Sequence, residues 1–329
     1  MKLDEIAKLA GVSCTTVSYV VNGKAKQYRV SDNTIAKVQA LIKQYDFKPN
    51  AMAASLRVGK SKTIGLIIPD FENISYAKIA NKLENRLREK GYQLLISCSN
   101  DHIENEQDCV KHLLQRQVDA LVVSSALPYD TDFYQNADVP VIGFDRRIQS
   151  PNVVNVLTDD EGDACRLAKE FLKLPNQQQV LFFGALSELP TSKERERGFR
   201  KALKDKTVKV DYLYTDKFHK NNAANTFAQW LSEKGNLPTT IFTTSFTLLE
   251  GVMLVLLQRF GHVPNHLTIA TFGHFEMLEL LENPVICSVQ DYDKVSQSLL
   301  NLAFDAISKK HKTTVNSTPL SRKVIKYHC

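Results

Sequence analysis

Leu3, Ile6, Ala7 and Ala10 recur three and four residues apart, the spacing that lays one face of a helix on a core. Gly11 follows where a tight turn needs positive φ. A second short helix over 14–21 turns Val17, Val20 and Val21 inward and leaves Cys14, Thr15, Ser18 and Tyr19 outside. A third is predicted over 32–45, capped by Ser31 or Asp32, with Ile35, Val38, Leu41 and Ile42 on its inner face. Lys48-Pro-Asn50 breaks that rhythm. Residues 51–57 have strong helix propensity over about two turns, too short to be stable alone in water. A basic linker runs to Lys62.

After Thr63 the pattern alternates between apolar strands and amphipathic helices. Strands are expected at 64–68, 93–96, 120–123 and 140–144, with helices at 75–90 and 104–117 between them. After Asp159 the alternation resumes with helices at 160–173, 192–204, 221–234 and 247–260. The strands between and after them lie at 180–183, 208–214, 240–242, 267–271 and 285–289, and a last long helix covers 291–309. Continuous apolar strands separated by helices mean parallel sheets covered on both faces. Two such halves make a bilobed body, with ligands bound in the crevice at the carboxyl ends of the strands. The expected architecture is therefore an all-α helix-turn-helix head at 1–48, a hinge helix and linker at 49–62, and an α/β body of two doubly wound parallel sheets at 63–329.

Charge sharpens this division. Residues 1–62 hold eleven Lys and Arg against four Asp and Glu, a net +7, leaving −1 on the rest of a chain whose total is +6. A basic head on a neutral body points to a polyanion, and two short helices joined at a glycine are the layout that reads DNA in the major groove. A membrane-surface helix would need a broad apolar face beside its basic one. No apolar run approaches the roughly 20 residues of a membrane span, and the amphipathic, acidic Met-Lys-Leu-Asp-Glu start has no signal-peptide core, so a cytoplasmic location is expected. The six cysteines are scattered without a CxxC pair and are expected to be reduced thiols. Cys109 and His112 lie three apart on a helix, but two ligands do not make a structural zinc site, and no metal or cofactor is expected. The last three residues, Tyr327-His-Cys329, read as a frayed tail.

The order of head, hinge and bilobed body resembles the lactose/galactose repressor family along essentially the whole chain. The resemblance is carried by Ile6-Ala-Lys-Leu-Ala-Gly-Val-Ser13, Thr16-Val-Ser18, Asn22-Gly23, Pro49-Asn50-Ala51 and Ser55-Leu-Arg57. Three further stretches are similar to the family's fructose-repressor branch: residues 24–31, 112–119 and 243–246. The resemblance implies that Cys14, Thr15 and Tyr19 read bases, with Arg29 and Ser55 also on DNA. Ser13, Thr16, Ser18 and Asn22 would contact phosphates or the turn. Leu56 matches the hinge leucine that wedges into the minor groove when hinge helices from two subunits pair. Cys14 departs from the family, since a thiol reads bases more weakly than a long polar or basic side chain.

In the body the resemblance implies an effector site of Asn73, Ser75, Asp145, Arg146, Arg195, Phe246, His274 and Gln290. Arg195 opens the family's Arg-x-x-Gly-aromatic element, Arg195-Glu-Arg-Gly198-Phe199. A sugar phosphate needs guanidinium for its phosphate and acid or amide groups for its hydroxyls, and Arg146, Arg195, Asp145 and Gln290 supply that set. The resemblance points to fructose 1-phosphate or fructose 1,6-bisphosphate. His274 is a second departure, standing where the family usually has an aspartate; a histidine still hydrogen-bonds, and its cation would suit a phosphate. An enzyme is the first rival, but the chain has no G-x-S-x-G, P-loop, G-x-G-x-x-G or H-E-x-x-H motif. The basic head also argues against a periplasmic sugar-binding protein. The expected function is a ligand-responsive transcription regulator, a homodimer or homotetramer on double-stranded operator DNA.

Overall fold

The computed structural model describes residues 1–47, 60–308 and 316–329. The hinge segment, with Ser55 and Leu56, lies outside the described residues. The chain divides into two compact units, Met1–Ser61 and Lys62–Cys329.

The first unit is built on α1 (Leu3–Ala10), α2 (Cys14–Val21) and α3 (Asp32–Gln44). Gly11 ends α1 in the left-handed region at φ 66°, which only glycine adopts without strain. Ser13 and Ser31 cap α2 and α3, each accepting a hydrogen bond from the backbone N–H three residues on. Ile6, Ala7, Ala10, Val17, Val20, Ala25, Val38 and Phe47 close the core.

The second unit holds two sheets. The first contains β1 (Thr63–Ile68), β2 (Gln93–Cys98), β3 (Ala120–Val123), β4 (Val141–Phe144) and β5 (Val153–Val156), all parallel, in the order β2-β1-β3-β4-β5. Helix α4 (Ile74–Glu89) covers one face through Tyr76, Ile79, Leu83 and Leu87, and α5 (Ile103–Gln115) covers the other through Val110 and Leu113. The second sheet contains β6 (Gln179–Ala185), β7 (Lys209–Thr215), β8 (Thr240–Thr243), β9 (Thr268–Phe272), β10 (Val285–Val289) and β11 (Lys323–Tyr327), in the order β11-β10-β9-β8-β6-β7. Helices α6 (Asp160–Phe171) and α7 (Pro190–Leu203) lie on one side, and α8 (Lys220–Lys234) and α9 (Phe246–Phe260) on the other.

The lobes are not consecutive segments. After β10 the chain returns to the first lobe, where α10 (Tyr292–Ser308) packs Val295, Leu299, Leu300 and Ala303 beside α4. It then crosses back, bridging Leu320 to Thr158, and adds β11 antiparallel to β10. Three strand-level crossings therefore join the lobes. Strands β5 and β11 go beyond the sequence expectation, and Tyr327 is not frayed but paired opposite Val285. No described helix is long and apolar enough to cross a membrane, and no group of His, Cys, Asp and Glu among the described residues could hold a metal.

Candidate DNA-reading face and effector cavity

The head residues expected on DNA share the outer face of α2 and its flanks. Cys14 and Thr15 are exposed in its first turn. Ser13 and Thr16 pair their hydroxyls at 2.9 Å, and the Thr16 N–H donates to Ser13 Oγ at 3.1 Å. Asn22 Nδ2 donates to the Ser18 carbonyl at 2.8 Å and to Ser18 Oγ at 3.2 Å, tying off the end of the helix. Ser13, Thr16, Ser18 and Asn22 thus hold the helix ends, leaving Cys14, Thr15 and Tyr19 as the outward side chains of its middle and first turn. The Tyr19 ring stacks on Tyr28, centroids 3.9 Å apart and planes 4° from parallel. Arg29 is exposed and left-handed at φ 53°.

In the body, a cavity lies between the lobes at the carboxyl ends of the strands. Asn73, Ser75, Asp145, Arg146, Arg195, Phe246 and Gln290 all line it. Each comes from a strand-to-helix connection or the first turns of a helix. Asn73 caps α4 by accepting from the Ser75 N–H at 3.1 Å, and Ser75 Oγ meets the Tyr292 hydroxyl at 3.2 Å. Asp145, at φ 58° just after β4, accepts a 2.6 Å bond from the buried Tyr76 hydroxyl. Burial, with the Asp145 charge beside it, drives the Tyr76 phenol well above its ordinary pKa, so it remains a donor. Phe246 opens α9 and packs on Phe275. His274 stands apart from the other seven. It lies outside the cavity lining, its Nε2 2.9 Å from the Tyr327 hydroxyl and 3.9 Å from Glu279. The β11 strand that brings Tyr327 there draws the imidazole to the sheet edge.

Three nearly buried guanidiniums dominate the cavity. Arg146 is held by both oxygens of Asp101, the longer contact 3.2 Å. Arg195 Nε donates to Asp160 Oδ1 at 2.7 Å, and its NH1 donates to the Thr244 carbonyl at 2.7 Å. Arg322 donates to Asp160 at 3.0 Å and to Asp163 at 3.1 Å. The Arg195 and Arg322 guanidiniums both lie over the Phe272 ring, at 4.5 and 5.1 Å. Burial works against the Asp160 charge, but Arg195 and Arg322 outweigh it and hold the carboxyl well below its usual range. Burial likewise opposes the charges on Arg146 and Arg322, and the carboxylates beside them, Asp101 and Asp145 for the one and Asp160 and Asp163 for the other, more than offset it. Arg146 and Arg322 are therefore fixed cations, and all three guanidiniums are held in place by carboxylates without a ligand.

Gly198 explains how Arg195 gets there. A Cβ at this position would collide with the Glu161 carbonyl and the Ala164 methyl of α6. Its absence lets α7 press against α6, so that a guanidinium one turn earlier reaches Asp160. Two polar atoms on the cavity wall, Thr244 Oγ1 and Gln290 Nε2, are buried without a hydrogen-bond partner, the state a ligand would relieve. Sequence reasoning missed Arg322, Asp101, Asp70 and Thr191, all in the lining. Arg322 sits in the last crossing, which no local pattern places in the cleft. Its signal is only an arginine just before a short stretch of mixed polar and apolar residues.

Comparison with known proteins matches both units of the chain. Residues 2–50 match the model of the bacterial regulatory proteins, lacI family, and residues 61–277 that of the periplasmic binding proteins and sugar binding domain of the LacI family. The catabolite repressor/activator of Escherichia coli strain K12 is 48% identical, covering 98% of this chain and 97% of that protein. The fructose operon regulatory protein of Vibrio cholerae is 40% identical, covering 98% of this chain and 99% of its own length. Among solved structures, the Cra transcriptional dual regulator of Pseudomonas putida in complex with fructose 1-phosphate superposes with a TM-score of 0.75 at 32% identity, covering 80% of this chain and 98% of that one. These relatives are transcription regulators, not enzymes. With both of its units matched and its full length shared, the chain belongs to the LacI family of DNA-binding transcription regulators of carbon metabolism.

Proposed function

We propose that the cavity takes a phosphorylated fructose, with fructose 1-phosphate the first candidate, and that its binding releases the protein from operator DNA. The convergence of Arg146, Arg195 and Arg322 on one cavity carries this reading. Each guanidinium is anchored by a carboxylate, and the N–H groups left over can together hold a phosphate dianion. Asp145 supplies an acceptor for sugar hydroxyls, and Thr244 Oγ1 and Gln290 Nε2 are polar atoms left for the ligand to satisfy. The fructose 1-phosphate bound to the Pseudomonas putida neighbour supports the same ligand class.

On the DNA side, α2 presents its polar face to the major groove and two protomers read a pseudo-palindromic site, placing the protein in the cytoplasm with its target. The effector acts by binding the DNA-incompetent state more tightly. Operator binding at fixed salt, titrated with fructose 1-phosphate and with fructose 1,6-bisphosphate, tests this, with fructose 6-phosphate as control. Release by the 1-phosphate but not the 6-phosphate is expected. Tight DNA binding indifferent to all three would discard the effector assignment and leave the regulator.

A further inference from the structure

The outer face of the head carries a contact that neither packing nor capping requires. Tyr19 on α2 and Tyr28 in the connection to α3 lie ring on ring at 3.9 Å, 4° from parallel, although Tyr28 is 49% exposed. Neither ring belongs to the core that holds the head together. The connection is folded back to keep Tyr28 in place. The Lys24 N–H donates to the Tyr19 carbonyl at 2.8 Å, the Val30 N–H donates to the Ala25 carbonyl at 3.0 Å, and Ala25 is buried. The left-handed turn at Arg29 then sends the chain on toward α3.

A solvent-facing stack adds little to the stability of a fold. What it does is remove rotamer freedom from the outer ring of a recognition helix before any partner arrives. We propose that Tyr28 is a positioning residue for DNA reading, holding Tyr19 in the orientation that meets base edges in the major groove of duplex DNA. The proposal rests on the assignment of α2 as the base-reading helix. Tyr28 acts through Tyr19 and not by its own hydroxyl. Its contribution belongs to sequence discrimination, since phosphate contacts and overall charge do not depend on the Tyr19 rotamer.

The test uses the full chain, a duplex that the wild type selects from a randomised pseudo-palindromic pool, and sheared genomic DNA at the same salt. Tyr28→Ala should weaken binding to the selected duplex roughly three- to tenfold, the scale of one lost aromatic pair, with sheared-DNA binding unchanged. Tyr28→Phe should restore it, because stacking needs the ring alone. Tyr28→Leu, bulky but not flat, should stay weak, and it carries the comparison if the alanine variant does not fold. On a Tyr19→Ala background, Tyr28→Ala should cost about nothing more. An additive loss on that background, a phenylalanine variant as weak as alanine, or equal losses on both DNAs would overturn the proposal. A wild type that selects no duplex would overturn the reading of α2 and the proposal with it, whereas the variant outcomes touch the proposal alone.

Discussion

Asp160 is the hinge of the cavity's electrostatics. One carboxylate, 1% exposed, anchors two guanidiniums and also accepts from the Thr158 hydroxyl. Its pKa is depressed in the folded state, so its contribution to stability is complete above the unfolded carboxylate value of about 3.9 and is lost as pH falls below it. Asp160→Asn should cost the body about 3–5 kcal/mol at pH 7, the usual result of breaking a buried pair. It should also flatten the loss of stability that the wild type shows on acidification; urea unfolding at pH 7 and pH 3 measures both. Arg195 has a different balance, because Arg322 still neutralises Asp160 when it is gone. Arg195→Ala should therefore keep operator binding and lose release by fructose 1-phosphate. Gel-shift titration of that variant decides it, and undiminished release would mean the phosphate sits elsewhere.

At the scale of elements, the helices of the head and most of the body were legible because each is a clean run of one period. The Leu3–Ala10 stripe, the caps at Ser13 and Ser31, and the apolar runs of β1, β3 and β9 each announce themselves locally. Strand β5 was not legible because Asn155 interrupts its apolar run. That side chain is buried, accepting from the Ile148 N–H and donating to the Ile148 carbonyl, so it spends its polarity on a neighbouring loop. Strand β11 was hidden because its short, half-exposed Lys-Val-Ile-Lys-Tyr run shows no clean period, and lysines are normal on an edge strand. The cavity followed the same division. Residues beside recognisable strand ends line it, whereas Arg322 and Asp101 are brought in by long-range topology, and His274 is drawn to Tyr327 on a strand that no clear pattern announces. The hinge helix is a sequence-level proposal. Leu56→Ala should weaken operator binding without changing effector affinity, read by fluorescence anisotropy with labelled duplex and by calorimetry with the sugar phosphate; equal operator affinity would sink the wedge.

The whole molecule separates its two tasks by charge and by construction. The head carries the excess positive charge that DNA binding needs, and the body is close to neutral. The cavity proposed for the effector is lined from both lobes, by Asn73, Asp145 and Arg146 on one side and Arg195, Phe246 and Gln290 on the other. A ligand touching both walls changes the free energy of their relative arrangement, which is what linkage to DNA requires. The same linkage makes the coupling reciprocal: operator DNA should weaken effector binding by the factor by which effector weakens operator binding.

The order in which the chain visits its lobes has a consequence for its synthesis. A ribosome releasing this polypeptide cannot deliver a finished first lobe and then a second, because α10 and β11 are the last parts of each to emerge. Until residue 308 is out, the apolar side of the first sheet lacks one of its two covering helices. Until residue 327 is out, the second sheet ends at an uncovered β10. Nascent chains should therefore depend on chaperones late into translation. A stop codon at position 290 should yield an insoluble product and not a one-lobed fragment, checked by fractionating cells expressing the truncated chain beside the full one; a soluble, protease-resistant fragment would show that the lobes mature one after the other.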